Sequence, residues 1–170
     1  MKTYIKQIYS KYERELQILN NEKFLLFTLP IAFIFLLFFK FIKRIFHIRF
    51  GLIHSDRIGH FTANTELFLL EEYHFDRSKK YFDIYYFPQR PCNSFLALLW
   101  KKRLRILPKF LIRPFCLITR SLVFFKEFNC GKSTGGDMDI FNLYDKYDSI
   151  LKFEAKDYIK ASKFFAKLNI

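Results

Sequence analysis

Asp56, Arg57, Gly59 and His60 crowd one short stretch of this chain, and their side chains offer more chemistry than any other segment. A histidine or carboxylate set in a turn can take a proton from an acceptor hydroxyl. An arginine beside it can pair with a phosphate or carboxylate, and a glycine lets a ligand approach the backbone closely. Each residue also has a plainer role open to it. His60 can pack or cap a helix, Asp56 can serve as an N-cap, and Arg57 can form a surface salt bridge.

Other candidate motifs are weaker. Gly131-Lys132-Ser133 has the end of a phosphate-binding loop, but Lys126 stands where that loop needs its first glycine. A flexible loop turned by Gly135-Gly136 is the simpler expectation. His47, His54, His60 and His74 have no tight metal-ligand spacing, so no metal is expected, and His47 and His74 read as structural. Cys92, Cys116 and Cys130 are odd in number and lack a CxxC pair, which suits a reducing compartment.

Lys plus Arg number 29 against 16 Asp plus Glu, a balance that suits an anionic partner. Lys101 to Arg120 holds seven basic residues and no acidic one, but apolar residues are interleaved throughout. That mixture favours anionic lipid or a phosphate-bearing substrate over nucleic acid, which stays a third reading.

The elements that must carry these residues follow from periodicity. Ile45–Ile53 reads as a buried strand, and a turn then leads into an amphipathic helix reaching about His74, with Ser55 or Asp56 as its cap. After a polar turn over Asp76–Lys80, Tyr81–Phe87 reads as a second strand ending at Pro88. Cys92–Lys102 reads as a helix, Leu104–Leu107 as a third strand, and Pro114–Phe125 as a helix with Pro114 near its first turn. Asn129–Asp139 is expected to be a glycine-rich loop. Tyr144–Leu151 returns toward the sheet, and Lys156–Leu168 closes as a basic amphipathic helix. This alternation predicts an α/β domain over residues 45–170, with a Rossmann-like parallel sheet flanked by helices.

Two segments precede it. Residues 1–22 place Ile5, Ile8, Tyr12, Leu16 and Leu19 at helical spacing, predicting an amphipathic helix. Residues 23–44 contain Phe24–Phe39, apolar apart from Thr28. Its length of ~24 Å falls short of the ~30 Å hydrocarbon core. Counting to Ile42 restores the length but includes Lys40, which is expected to snorkel to head groups. A membrane-associated helix is expected, spanning or dipping in from one face. The basic residues that follow place the remainder of the chain on the cytoplasmic face of the inner membrane.

Arg49-Phe50-Gly51, then Asp56-Arg57-Ile58-Gly59-His60-Phe61, then Asn64-Thr65-Glu66-Leu67-Phe68-Leu69 resembles the N-terminal signature of a bacterial glycosyltransferase family, R-(I/F)-G…R-I-G-H-(L/F)…N-x-E-(L/M)-(Y/F)-L. Gly135-Gly136-Asp137-Met138-Asp139 and Tyr144-Asp145 add a second, less specific block. The resemblance covers roughly residues 45–170. It implies a GT-B-type architecture, in which two Rossmann-like domains face a cleft and the N-terminal one holds the acceptor. It further implies His60 as base with Asp56 as the second candidate, and Arg57, Gly59, Asn64 and Glu66 as substrate-binding positions. Metal and cofactor are not expected, the nucleotide sugar being a substrate. The D-x-D of Asp137 and Asp139 is read as coincidence.

A full enzyme of that kind continues for about as long again to supply a donor domain. The expectation is therefore the N-terminal, acceptor-side portion of a glycosyltransferase, completed by a missing C-terminal domain or a second chain. Its acceptor would be a cell-envelope saccharide or a lipid-linked one, and its partner surface the membrane or anionic lipid. The alternative is a non-catalytic membrane-associated binding or adaptor protein.

Overall fold

The structure, a computed structural model, describes residues 23–75, 81–132 and 139–167. The helix expected over 1–22, the turn at 76–80 and the Gly135-Gly136-Asp137 stretch lie outside the described residues. The described residues begin with α1 (Lys23–Ile42) and β1 (His47–Leu52). A π-helical turn (His60–Asn64) runs into α2 (Thr65–Phe75), followed by β2 (Tyr81–Tyr86), α3 (Ser94–Arg103) and β3 (Arg105–Ile106). Then come α4 (Lys109–Ser121), a 3-10 turn (Val123–Phe128), β4 (Asn129–Lys132), α5 (Leu143–Lys146) and α6 (Ala155–Lys167).

The strands form one parallel sheet in the order β3-β2-β1-β4, with helices on both faces. This is the expected Rossmann-like α/β arrangement. Because β1 is covered on both sides, it is buried nearly throughout, as interior parallel strands are. Ile48, Phe50 and Leu52 join Ile112, Cys116 and Phe125 beneath α1 and α4. On the opposite face Ile53, Tyr85 and Cys130 pack with Phe61, Phe68 and Trp100 of the α2–α3 layer.

Two sequence expectations are corrected here. Asn129–Lys132 is a strand rather than the start of a loop. Gly131 takes φ +83°, Asn129 Oδ1 accepts the Gly131 N–H at 3.0 Å, and the ladder to β1 shifts register between Phe50 and Leu52. A four-residue strand bulged at a glycine has no period-2 signal to read. The helix placed at Pro114–Phe125 instead starts at Lys109 after Pro108, so Pro114 lies in its interior.

α1 docks on one stripe only. Ala32 and Leu36 are buried in the core beneath it, whereas Phe27, Ile34 and Phe41 are 72%, 65% and 87% exposed. Lys40, partly exposed, lies against the 3-10 turn. Its Nζ donates to Phe124 O at 2.7 Å, lies 3.4 Å from the Phe124 ring centre, and stands 3.4 Å from Glu127. Lys43 donates to the same carboxylate at 2.7 Å. Burial alone would push the Glu127 carboxyl up, but the hydrogen bonds and charges of Lys43 and Lys40 hold it below the ordinary range.

Gly51 is required by packing. A Cβ there would lie 2.4 Å from Cys130 Sγ and 3.0 Å from the Tyr85 ring. Gly51→Ala should destabilise the fold by about 1–3 kcal/mol, the range for overpacking. In a Cys130→Ala background part of that loss should disappear, because the obstructing sulfur is gone while the Tyr85 ring stays; denaturant titration of the four-member cycle measures it. Glu127 supplies a second check. A carboxyl depressed in the folded state stabilises above its unfolded pKa, and that contribution is lost as pH falls through the lower folded value. Acidification should therefore loosen the carboxyl end of α1, read by hydrogen exchange, and Glu127→Gln should show that looseness already at neutral pH.

Candidate functional site

In an open parallel sheet ligands bind beyond the carboxyl ends of the strands, where the strand order reverses. Here the reversal lies between β1 and β4, and the residues leaving β1 are those singled out by their chemistry. Ile53 stays in the ladder, its N–H donating to Tyr86 O. Ser55 is fully buried and does not cap the helix. Its hydroxyl donates to Gln89 O at 3.1 Å and its carbonyl accepts the Cys92 N–H at 2.7 Å. The turn is thus tied to the β2–α3 loop.

The helix begins with the Phe61 N–H donating to Arg57 O, and at His60 it widens into the π turn. Such an insertion disturbs the regular ladder and is found mostly at functional sites. The carbonyls of the turn are taken up by side chains. Thr65 Oγ1 donates to His60 O at 2.8 Å, the buried Trp100 Nε1 to Phe61 O at 2.7 Å, and Tyr144 OH to Ala63 O at 2.7 Å. Thr65 and Tyr144 stand in the two resemblance blocks, but the sequence assigns a positioning role to none of the three, although a lone tryptophan in a predicted helix is a hint.

His60 and Asn64 are brought together by the turn, His60 Nδ1 lying 2.9 Å from Asn64 Nδ2. In this orientation Asn64 donates, so the neutral ring carries its proton on Nε2 and offers a donor there. Turning the amide over would place Oδ1 on an Nδ1–H and free Nε2 as a base. The His54 ring lies 6.5 Å from that of His60. Asp56 and Arg57 are exposed and stand 4.0 Å apart, too loose a pair to immobilise the guanidinium. Gly59 is helical at φ −63°, and a Cβ added to it would meet nothing within 4 Å. Its backbone conformation does not demand glycine.

Glu66 is placed differently from the other candidates. It is buried, and its Oε1 accepts Ser149 Oγ and the Ile150 N–H, each at 2.6 Å. It clamps the chain's own 149–151 segment. Asp139 caps α5, accepting the Leu143 and Tyr144 N–H groups at 2.7 and 2.9 Å; Asp137 lies outside the described residues. His74 bonds Tyr147 OH at 2.7 Å and His47 bonds Glu127 O at 3.1 Å, both structural contacts.

Arg49 and Gly51 of the signature also build the scaffold. Arg49 pairs with both oxygens of Asp83 at 2.8 Å, meets Glu72 at 2.7 Å, and lies over the Tyr81 ring. Among the described residues no group of three His, Cys, Asp or Glu converges as metal ligands would. The basic run from Lys101 is dispersed: Arg105 lies over Phe82, Lys102 pairs with Glu154, and Arg120 donates to Gly131 O. Comparison with protein-family models, with curated proteins and with solved structures found no match to this chain.

Glu66→Gln should cost about 1–3 kcal/mol by weakening a buried charged acceptor. Because its partners lie in the carboxyl-terminal segment, the Ile150 and Leu151 amides should lose exchange protection while β1 and β2 keep theirs.

Proposed function

We propose that this chain is the acceptor-side domain of a membrane-associated glycosyltransferase. The observation that carries the reading is the switch-point turn itself. An exposed Asp56–Arg57 pair lies there just before a braced π turn that carries a His60–Asn64 pair, among the residues that resemble the glycosyltransferase signature. In the reaction the acceptor hydroxyl oxygen attacks the anomeric carbon of a nucleotide sugar. The hydroxyl proton passes to His60 Nε2, the bond from the anomeric carbon to the phosphate oxygen breaks, and the nucleoside diphosphate departs. With its amide turned over from the orientation in which Nδ2 faces Nδ1, Asn64 accepts the Nδ1 proton through Oδ1 and holds the imidazole in the tautomer this step needs. Asp56 is the alternative base, and Arg57 offers its charge to an anionic substrate group.

The exposed apolar side of α1 supports a membrane surface as the place of work, with the domain on the cytoplasmic side. An exposed apolar patch of this extent marks a surface that meets lipid or another protein. Glu66 enters the reading as a positioning residue, in line with its contacts.

Transfer from nucleotide-sugar donors to saccharide or lipid-linked acceptors by this chain together with the donor-side domain or partner chain the reading requires tests the proposal. His60→Ala should lower transfer by about 10²–10⁴-fold, the usual worth of a general base, with an unchanged melting temperature. Gly59→Ala should leave stability level or raise it by about 0.4–1 kcal/mol, yet weaken acceptor binding if the acceptor lies against that helical turn. Equal acceptor binding by wild type, His60→Ala and Gly59→Ala, with no turnover by any of them, would sink the assignment.

A further inference from the structure

We infer that the groove between α1 and α4 holds one hydrocarbon chain of an anionic bilayer phospholipid, with the lipid phosphate on Lys109 and Arg113. This goes beyond sugar transfer and stands without it. The groove encloses about 360 Å³. Its floor is Phe50 and Ile84 of the sheet, and its walls include Ala32 and Phe35 of α1 and Phe110 and Pro114 of α4. The hydroxyl of Thr28, which also lines it, is spent on Leu25 O at 3.1 Å, so nothing in the groove asks for a polar ligand.

The groove adjoins a second cavity of about 200 Å³ through Phe24 and Phe110, which line both. That mouth adds Lys109 and Arg113. Lys109 donates to the Pro88 carbonyl at 2.6 Å, and among the described residues neither cation meets a carboxylate. Burial and the neighbouring Arg113 lower the Lys109 pKa, as expected of two cations close together without an anion. An anion position opening directly into a hydrocarbon position selects an amphiphile charged at one end. Inorganic phosphate would fill only the mouth, and a neutral hydrocarbon only the groove.

Dimension and placement agree. The α1 residues lining the groove run from Phe24 to Phe39, ~22 Å of helix, enough to lie along an extended acyl chain. The outward residues Phe27, Ile34 and Phe41 give the same element a face for bilayer hydrocarbon, from which a chain can enter. Residues 1–22 are the rival occupant. They carry four basic against three acidic residues, a balance with little to offer a doubly cationic mouth.

The test uses the full chain on vesicles of equal parts phosphatidylcholine and phosphatidylglycerol, the latter with a photoactivatable group at mid-chain. Mass mapping should place adducts on Ile31, Phe35 and Phe110, in addition to the outward Phe27 and Phe41. Thr28→Trp, or Leu111→Trp if the first variant melts lower, should remove the groove adducts and keep the outward ones. Lys109→Gln with Arg113→Gln should lower affinity for these vesicles by about 30-fold, the worth of two surface cations, and little for phosphatidylcholine alone. Adducts confined to the outward residues would overturn the inference. So would groove adducts equally abundant with a phosphatidylcholine probe, or cross-links from residues 1–22 into the groove. His60→Ala should leave the adduct pattern unchanged, so failure here is separable from failure of the transferase reading.

Discussion

The buried guanidinium of Arg49 is the junction on which the rest of the domain depends. It sits on β1 directly opposite Asp83 of β2, grips both oxygens of that carboxylate, and reaches Glu72 on α2. Burial alone would pull its pKa down, but the hydrogen bonds and charges of Asp83 and Glu72 carry it above the ordinary value, so the cation persists. Leaving one member of a buried ion pair alone costs about 3–5 kcal/mol. A one-residue slip of β2 would strand Arg49 and also turn Tyr85 out of the core. The junction therefore selects the strand register and the placement of α2 together.

Placement of α2 decides the geometry of the candidate site, because the π turn is its amino-terminal continuation. A π turn is poorly bonded by itself, and its backbone carbonyls must find other donors. They find them on three elements: Thr65 at the start of α2, Trp100 on α3 and Tyr144 on α5. The residues of the signature accordingly divide into two kinds. Arg49, Gly51 and Glu66 meet the protein's own atoms, while Asp56, Arg57, Gly59 and the His60–Asn64 pair stand at the sheet's switch point. Under the proposed reading, a rigid frame carrying an accessible turn is what a preorganised site requires.

This division also explains what could be read from the sequence and what could not. β1, β2 and α3 declare themselves by the period and type of their apolar residues; the Asn93 cap of α3, whose Oδ1 accepts the Phe95 and Leu96 N–H groups, is not read from the sequence. These signals are local. The role of Glu66 depends on partners more than eighty positions away, and Lys40 finds Phe124 O and Glu127 at a similar separation. β4 is too short and too bent at Gly131 for alternation to appear. The π turn adds one residue per turn to a helix whose pattern is otherwise unbroken, so only the bracing side chains betray it. Pro114 looked like a helix start because proline suits the first turn, but Pro108, six residues earlier, holds that place.

α1 shows why an apolar run by its composition does not specify how a helix meets a bilayer. Twenty residues from Lys23 to Ile42 suffice to cross one. Yet Ala32 and Leu36, at the middle of the helix, belong to the core beneath the sheet, and Glu127 holds its carboxyl end. To span, α1 would have to give up the burial of Leu36, about 1.5–3 kcal/mol, and break the Glu127 clasp. It would also strip the cover from Phe50, Phe125 and Ile112. Lying in the interface under the proposed membrane reading avoids all three losses, since the docked stripe stays on the sheet while Phe27, Ile34 and Phe41 enter the hydrocarbon. In that pose the carboxyl edge of the sheet, with Ser55 tied to Gln89 and Lys109 to Pro88, has its polar turn and its cationic mouth on one rim. The shared rim follows from the connectivity, because β1, β2 and β3 run parallel and their successors all emerge at that edge.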